Sequence, residues 1–321
     1  MSQHSPRPRS PGEGAWGCEH SLTAPEVGTI EAWCLDYISA EEVAAKCSPG
    51  EPPALFDGYY APDLAVCSAM APGRGVGLRV QERAERIPRP AALREASARA
   101  KLLHVFMHHE IQAAELSAWA ILRFPDAPAE FRRGLLGILD DEARHAQMYL
   151  GRVRELGSQY GDFAVRDWFW EKARHCTTPL QYTALMGLGF EGANIDHAAR
   201  FERQLRDVND ERSADLVGQV GREEVSHVRF ASRWFAEWTG EAEGDGPDYD
   251  RWCEALPPPL TPAVFKGDPV QVERRARAGL SRSFLGRLMS EGKVRGTTQK
   301  SPRRAGIDGS GNDSDSELCR E

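Results

Sequence analysis

Two short segments of the sequence pair a glutamate with a histidine three residues later. Glu142 and His145 lie in DDEARHA, and Glu224 and His227 lie in REEVSHV. On a helix, residues three apart share one face and lie about 4.5 Å apart along the axis. A carboxylate and an imidazole placed in this way can bind one metal ion together. A single pair is weak evidence, because the same spacing occurs by chance on solvated helix faces.

Two such pairs become specific when two further helices each add a glutamate, since this set completes a di-metal site inside a four-helix bundle. Glu191 is the candidate in one half, whereas Glu110 and Glu115 compete in the other. Glu110 precedes Glu142 by 32 residues, and Glu191 precedes Glu224 by 33. Both midpoints then fall in predicted turns. Because Glu115 would lie about 7.5 Å further along the axis, the spacing favours Glu110.

Two acidic residues stand directly before the paired glutamates. A metal-bound histidine usually donates its second N–H to a carboxylate or a carbonyl. Asp141 could therefore hold His227, and Glu223 could hold His145, across the axis between the helices. The alternative is that both are ordinary surface acids. Two further acids expected inside the protein could support the ligands in the same way, namely Glu115 and Asp196.

The elements that must position these residues are four long helices. Apolar residues recur at helical spacing, and the predicted helices cover residues 91–123, 129–156, 178–206 and 209–238. The segment FPDAP ends the first, while Thr178, Pro179 and Gln181 form a helix-start signal for the third. A longer connection separates the second from the third. The sequence therefore predicts an all-α protein with two helical hairpins joined by a long crossover, the ferritin-like four-helix bundle.

The remaining chain divides by composition. We expect disordered tails at residues 1–24 and 295–321. Between them we expect a partly helical N-terminal extension (25–90), the bundle (91–240) and a C-terminal covering segment (241–294). The covering segment contains a basic stretch. Lys266, Arg274 and Arg275 could line an entrance for an anionic substrate, and plain covering structure is the alternative.

Composition excludes several classes of protein. The net charge of −8 argues against nucleic acid as a principal partner, because phosphate binding requires a basic face. No apolar run is long enough to span a membrane, and no apolar stretch follows the first basic residues. The seven cysteines show neither disulfide nor zinc-finger spacing. We therefore expect a cytoplasmic protein that acts without nucleic acid or membrane.

Four segments carry a resemblance to a known family, namely HHEIQAAELSAWA, DEARHAQMYLGRVRELGSQYGDF, FEGANIDHA and EEVSHVRFASRWF. Through these segments, the region of residues 100–237 resembles an uncharacterised ferritin-like family that is catalogued as a domain of unknown function. Glu223 departs from its pattern, since Asp is more usual there. The ligand plan is more distantly similar to bacterioferritin, rubrerythrin and the tRNA-hydroxylating di-iron monooxygenases.

The resemblance implies two iron ions that react with oxygen or peroxide, and it leaves a manganese–iron pair open. Our leading hypothesis is a di-iron oxidase or oxygenase that uses O₂ on a small-molecule substrate, with an external electron donor as a further partner. One alternative is a non-catalytic protein for iron binding or storage. The other is a metal-free helical interaction module, because this scaffold hosts several functions.

Overall fold

The computed structural model describes residues 24–58, 60–83, 86–241 and 245–292. The expected disordered tails, residues 1–24 and 295–321, lie outside these ranges apart from residue 24. Within the described ranges the secondary structure is helical, and the only extended pairing is one isolated bridge between Val80 and Val165. The predicted all-α class is confirmed. No helix in these ranges is both long enough and apolar enough to cross a membrane.

The N-terminal extension holds three short helices. They are α1 (Ile30–Ser39), α2 (Val43–Cys47) and α3 (Leu64–Ala69), and a 3₁₀ turn follows at Pro90–Arg94. Thr29 caps α1 by accepting a hydrogen bond from the Ala32 amide. The chain is extended at Ala40, which separates α1 from α2. Lys46 Nζ donates to the carbonyls of Tyr37 and Ile38, which satisfies the end of α1 and folds α2 back against it.

Two long helices follow, and both end close to the predicted residue, but the first begins at residue 96 and not at the predicted 91. They are α4 (Ala96–Arg123) and α5 (Ala129–Glu155). The break at FPDAP separates them, as the sequence indicated, and the two pack along each other. The crossover after α5 contains the short helix α6 (Trp168–Ala173).

The second half begins at α7 (Pro179–Tyr182) and continues without interruption through a π-helical stretch at Thr183–Glu191 into α8 (Gly192–Arg206). Thr178 caps α7 by accepting from the Gln181 amide, as the start signal predicted. The last long helix is α9 (Glu211–Thr239), which Asp210 caps and Gly240 ends in a left-handed conformation. Helix α9 packs along the π stretch and α8, and it also contacts α5.

A polar layer divides the interior between the long helices. One apolar cluster includes Leu139 of α5 and Val228 of α9. The other includes Ala146 of α5 and Val220 of α9. Glu142 and His145 lie between these positions on α5, and Glu224 and His227 lie between them on α9, so apolar packing flanks both pairs.

The C-terminal segment covers the second half of the core. It contains α10 (Tyr249–Ala255), a 3₁₀ turn (Pro262–Phe265), α11 (Val272–Arg277) and α12 (Arg282–Ser290). Trp252 Nε1 donates to the Ala184 carbonyl at 2.9 Å. Arg275 is fully buried and pairs with Asp196 at 2.6 Å. The suggestion that Arg275 lines an open entrance is therefore wrong, because burial against Asp196 removes it from solvent.

Candidate metal centre

Six side chains from the long helices converge in the polar layer. Their ligand atoms form two overlapping groups, and within each group these atoms lie within 4.8 Å of one another. One group is Glu110, Glu142, His145 and Glu224, and the other is Glu142, Glu191, Glu224 and His227. All six residues are buried, with at most 8% of their surface exposed. The structure thus brings together every residue that the sequence proposed as a ligand.

Each paired glutamate reaches both histidines. His145 Nδ1 lies 3.4 Å from Glu142 Oε2 and 3.6 Å from Glu224 Oε1. His227 Nδ1 lies 2.9 Å from Glu142 Oε1 and 2.9 Å from Glu224 Oε2. Glu142 and Glu224 therefore stand between the two imidazoles with one oxygen turned to each. Glu110 lies on the His145 side, 3.9 Å from Nδ1.

The donor set fits divalent cations. Glu142 Oε1 accepts no well-formed hydrogen bond among the described residues, although His227 Nδ1 is 2.9 Å away. A short contact of this kind is expected between two ligands that point at one cation. Carboxylate oxygen and imidazole nitrogen without thiolate suit iron, manganese or zinc.

The pKa values of the centre are shifted by burial and by the several carboxylates that lie close together. Burial, and then the neighbouring Glu142, raise the pKa of Glu110 well above its usual value. Burial and Glu224 act in the same direction on the pKa of Glu191. Burial lowers the pKa of His145, but Glu142 and Glu224 outweigh it and raise that pKa to about 9. Buried carboxylates need compensating positive charge, which two divalent cations would supply.

The far nitrogen of each imidazole faces an acid on the opposite helix. His145 Nε2 lies 2.8 Å from Glu223 Oε2, and His227 Nε2 lies 3.3 Å from Asp141 Oδ2. Since a carboxylate only accepts, each Nε2 carries a proton in these contacts, and Nδ1, which faces the glutamates of the centre, is the nitrogen that would bind a cation once its own proton is lost. This is the crossed pairing that the sequence analysis described.

Arg144 joins the two acids, and sequence reasoning missed it. Its Nη2 donates to Asp141 Oδ1 at 2.6 Å and to Glu223 Oε2 at 2.7 Å. One guanidinium thus links the supports of both histidines at the surface. The available signal was its position three residues after Asp141, which places both on one helix face.

Two acids expected beside the ligands have other partners. Glu115 is fully buried and binds Arg74, Lys46 and Trp170 Nε1. Asp196 accepts from Arg275 and from the backbone amides of Gly267 and Gln271. Their proposed role of supporting the ligands is not what the contacts show. Both are interior acids, as expected, but each is neutralised by a cation from an extension outside the long helices.

The π-helical stretch was also missed by sequence reasoning. Glu191 is its last residue. A π-helical turn is wider than an α-helical turn and is rare, and it occurs often at functional sites. The only local signal was the pair Gly187 and Gly189, in a segment otherwise typical of a buried helix.

Two clefts reach the centre from different sides. The α4–α8 cleft is lined by His109 of α4 and Asn194 and His197 of α8, and it ends at Glu110 and Glu191. The α5–α9 cleft is mostly apolar and ends at Glu191 and His227. Glu191 therefore borders both clefts.

Fold and site define an all-helical protein with a buried carboxylate–histidine cluster that could hold metal. Residues 39–286 match the model of the family described as "Protein of unknown function (DUF455)", and the chain belongs to that family. The resemblance to a family catalogued as a domain of unknown function is confirmed. The match includes all six converging residues.

A curated relative gives a weaker match. An uncharacterized protein of Haemophilus influenzae is 26% identical over 144 residues, which cover 42% of this chain and 50% of that protein. The chain thus spans about half the length of this relative. No solved structure matches the chain significantly.

Proposed function

We propose that this chain is a ferritin-like di-iron protein that acts as an oxidase or oxygenase on a small molecule. In this proposal the hairpin of α4 and α5 and the hairpin of the π stretch, α8 and α9 form the four-helix bundle. The observation that supports it is the convergence of four glutamates and two histidines from all four long helices into two overlapping ligand groups. The same plan is typical of di-iron carboxylate bundles.

The contacts suggest how the residues would divide between two cations. Glu110 and His145 would bind one ion, and Glu191 and His227 the other. Glu142 and Glu224 would bridge them, because each turns one oxygen towards each histidine. The sequence analysis assigned Glu142 to one ion and Glu224 to the other, with one carboxylate bridging. The geometry favours two bridges. A manganese–iron pair would accept the same ligands.

When bound, an iron pair supplies the electrons for O₂ reduction and the oxidising power for the substrate. The chain contributes position and environment. Glu223 Oε2 and Asp141 Oδ2 hold the Nε2 protons of His145 and His227, which fixes both rings. The apolar clusters on either side of the polar layer exclude water. An external electron donor would restore the reduced state.

Metal content tests the centre directly. Protein purified after iron supplementation is expected to hold about two iron atoms per chain, and the Glu142→Ala/Glu224→Ala variant is expected to lose them. Glu130→Ala/Glu237→Ala is the matched control, because it changes two exposed glutamates on the same helices. Circular dichroism verifies that all three proteins are folded. Equal iron in the double variant and in the wild type would refute the assignment.

Oxygen consumption separates an oxidase from an iron store. With iron loaded and a chemical reductant present, the wild type is expected to consume O₂ continuously, whereas the Glu142→Ala variant is not. A storage protein would instead take up iron far beyond about two atoms per chain and would stop consuming O₂ once the supplied iron was oxidised. That result would replace the oxidase proposal by the storage alternative.

A further inference from the structure

We propose that the α4–α8 cleft binds a small uncharged molecule with an apolar body and one hydrogen-bonding group. The proposal rests on the proposed function, for which this molecule is the substrate. The cleft ends at Glu110 and Glu191, and neither His145 nor His227 lines it. A molecule in this cleft would therefore approach the centre from the side of Glu110 and Glu191, and not from the side of the histidines.

One wall of the cleft is a column of stacked rings. His109 stacks on Phe169 with centroids 4.9 Å apart, and Phe169 stacks on Phe190 at 4.4 Å. His109 is half-buried, whereas Phe190 is buried next to Glu191. The column thus leads from the mouth to the floor. Together with Phe106 it offers an apolar surface of the kind that aromatic and aliphatic molecules bind.

The space between the walls reaches about 470 Å³ only when open solvent at the mouth is counted with it, so the enclosed part is smaller and admits no more than a small molecule. Besides the two glutamates at its floor, three polar side chains line it, namely His109, Asn194 and His197. The Asn194 amide is oriented by Glu224, to which Nδ2 donates at 3.2 Å. Imidazole and amide groups can pair with a hydroxyl, carbonyl or amide of a ligand.

The charge of the ligand follows from the lining. Among the residues that line the cleft in the described part of the chain, none is a lysine or an arginine. An anion would therefore be buried without a counter-ion, which is costly. The two carboxylates at the floor are assigned to the metal centre and do not offer a partner to a cation. These features favour an uncharged ligand.

The α5–α9 cleft is the competing route to the same centre. Its polar lining consists of Ser117, Tyr182 and Thr183 together with the two ligands at its floor. This cleft carries as many polar side chains as the α4–α8 cleft but exposes less polar surface, so we assign substrate binding to the latter.

Three single-ring probes test the charge preference, namely phenol, benzoate and benzylammonium. Binding to the iron-loaded protein is measured by saturation-transfer NMR. Phenol is expected to bind, with affinity at least about fivefold above that of either ion. Binding of benzoate as tight as that of phenol would overturn the assignment of an uncharged ligand. No binding of phenol to protein with full metal content would overturn the proposal while leaving the metal centre intact.

Two matched variants locate the bound probe. Ile87 lines the α4–α8 cleft and Ile138 lines the α5–α9 cleft, and both are half-buried. Ile87→Trp is expected to lower the affinity for phenol at least about fivefold, whereas Ile138→Trp leaves it unchanged. The reverse pattern would place binding in the other cleft and refute the proposal. Iron content is measured for both variants, so loss of the centre cannot be mistaken for loss of binding.

His109→Phe tests the hydrogen-bonding group. Phenylalanine keeps the stack on Phe169 but removes the imidazole nitrogens. The wild type is expected to prefer phenol to toluene, and this preference should fall at least about threefold in the variant. An unchanged preference would show that His109 does not hydrogen-bond to the hydroxyl group of the ligand.

Discussion

At the residue scale, the two histidines are the most constrained side chains of the centre. Each is held from behind by an acid on the opposite helix, and Arg144 links these acids at the surface. Burial raises the pKa of Glu223, but Gln219, His145 and Arg144 outweigh it and lower that pKa to about 2. Glu223 is therefore an ionised acceptor at neutral pH, which suits a residue that fixes an imidazole tautomer.

Replacing these acids should weaken metal binding without removing a ligand. We expect Glu223→Gln and Asp141→Asn each to lower the affinity for the metal by about tenfold to a hundredfold, because the amide no longer favours the Nε2 proton and the ring orientation is lost. The affinity is measured by competition with a chelator.

Glu155→Gln is the control for these two variants. Glu155 also lies on α5 and bonds to arginines, but these are Arg152 and Arg212, away from the histidines. Its affinity should equal that of the wild type. Glu223→Asp should largely retain binding, since the charge is kept. An affinity of Glu223→Gln within about twofold of the wild type would contradict the supporting role.

At the element scale, the π stretch positions Glu191. It packs against α9 so closely that a Cβ built at Gly187 would lie 2.2 Å from Ala231 Cβ. The backbone of Gly187 is helical, a conformation that any residue can adopt. Glycine is therefore required there only because a side chain would not fit. The close approach of the two helices brings Glu191 within reach of Glu224 and His227.

Gly187→Ala should consequently destabilise the protein, although alanine favours helices. We expect a loss of about 1–3 kcal/mol in the free energy of unfolding, because the added methyl group must push the π stretch from α9. Metal content should fall as well, since Glu191 moves with the stretch. Urea unfolding and elemental analysis measure the two effects.

The matched control is Gly137→Ala in α5. A Cβ at Gly137 meets nothing within 4 Å, so the substitution should stabilise the protein by about 0.5–1 kcal/mol. If both alanine variants changed stability in the same direction, the packing argument for Gly187 would fail.

At the scale of the whole molecule, a buried ionic network ties the N-terminal extension to α4 and the crossover. Arg74 bonds to Glu115 at 2.6 Å and to Asp167 at 2.8 Å, and Lys46 bonds to Glu115 at 2.7 Å. Burial raises the pKa of Glu115, but Arg74 and Lys46 lower it by more. Asp167 shifts in the same net direction, since His108 and Arg74 outweigh its burial and lower its pKa.

This network should make the fold sensitive to acid. Because both carboxyl pKa values are lowered in the folded state, their stabilisation is complete above the ordinary carboxyl pKa of about 4 and is lost as the pH falls below it. Arg74→Gln should destabilise the protein by about 3 kcal/mol at pH 7. The difference from the wild type should shrink by more than half at acid pH, where both carboxyls take up protons.

Urea unfolding of metal-free protein measures this difference, so that metal loss in acid does not contribute. Arg212→Gln is the control, because it breaks an ion pair with Glu155 in which both groups are exposed. It should change stability little at either pH. A constant effect of Arg74→Gln at all pH values would show that the network does not carry the acid sensitivity.

The sequence by itself determined the helical class, the C-terminal end of α4, the bounds of α5 and α9 to within about two residues, and the six residues that converge. These depend on local periodicity and on equal distances from two turns, which can be read along the chain. The crossed pairing of Asp141 with His227 and of Glu223 with His145 followed from the same register, and both contacts are present.

Only the tertiary structure decided which partners the other interior acids have. Glu115 meets Arg74, and Asp196 meets Arg275, from segments that share no periodic pattern with the long helices. The π-helical stretch before Glu191 likewise lies against Ala231 of α9, a contact that local periodicity does not reveal. Such contacts are set by how distant segments fill space around the core, and a single sequence does not encode that at any fixed spacing.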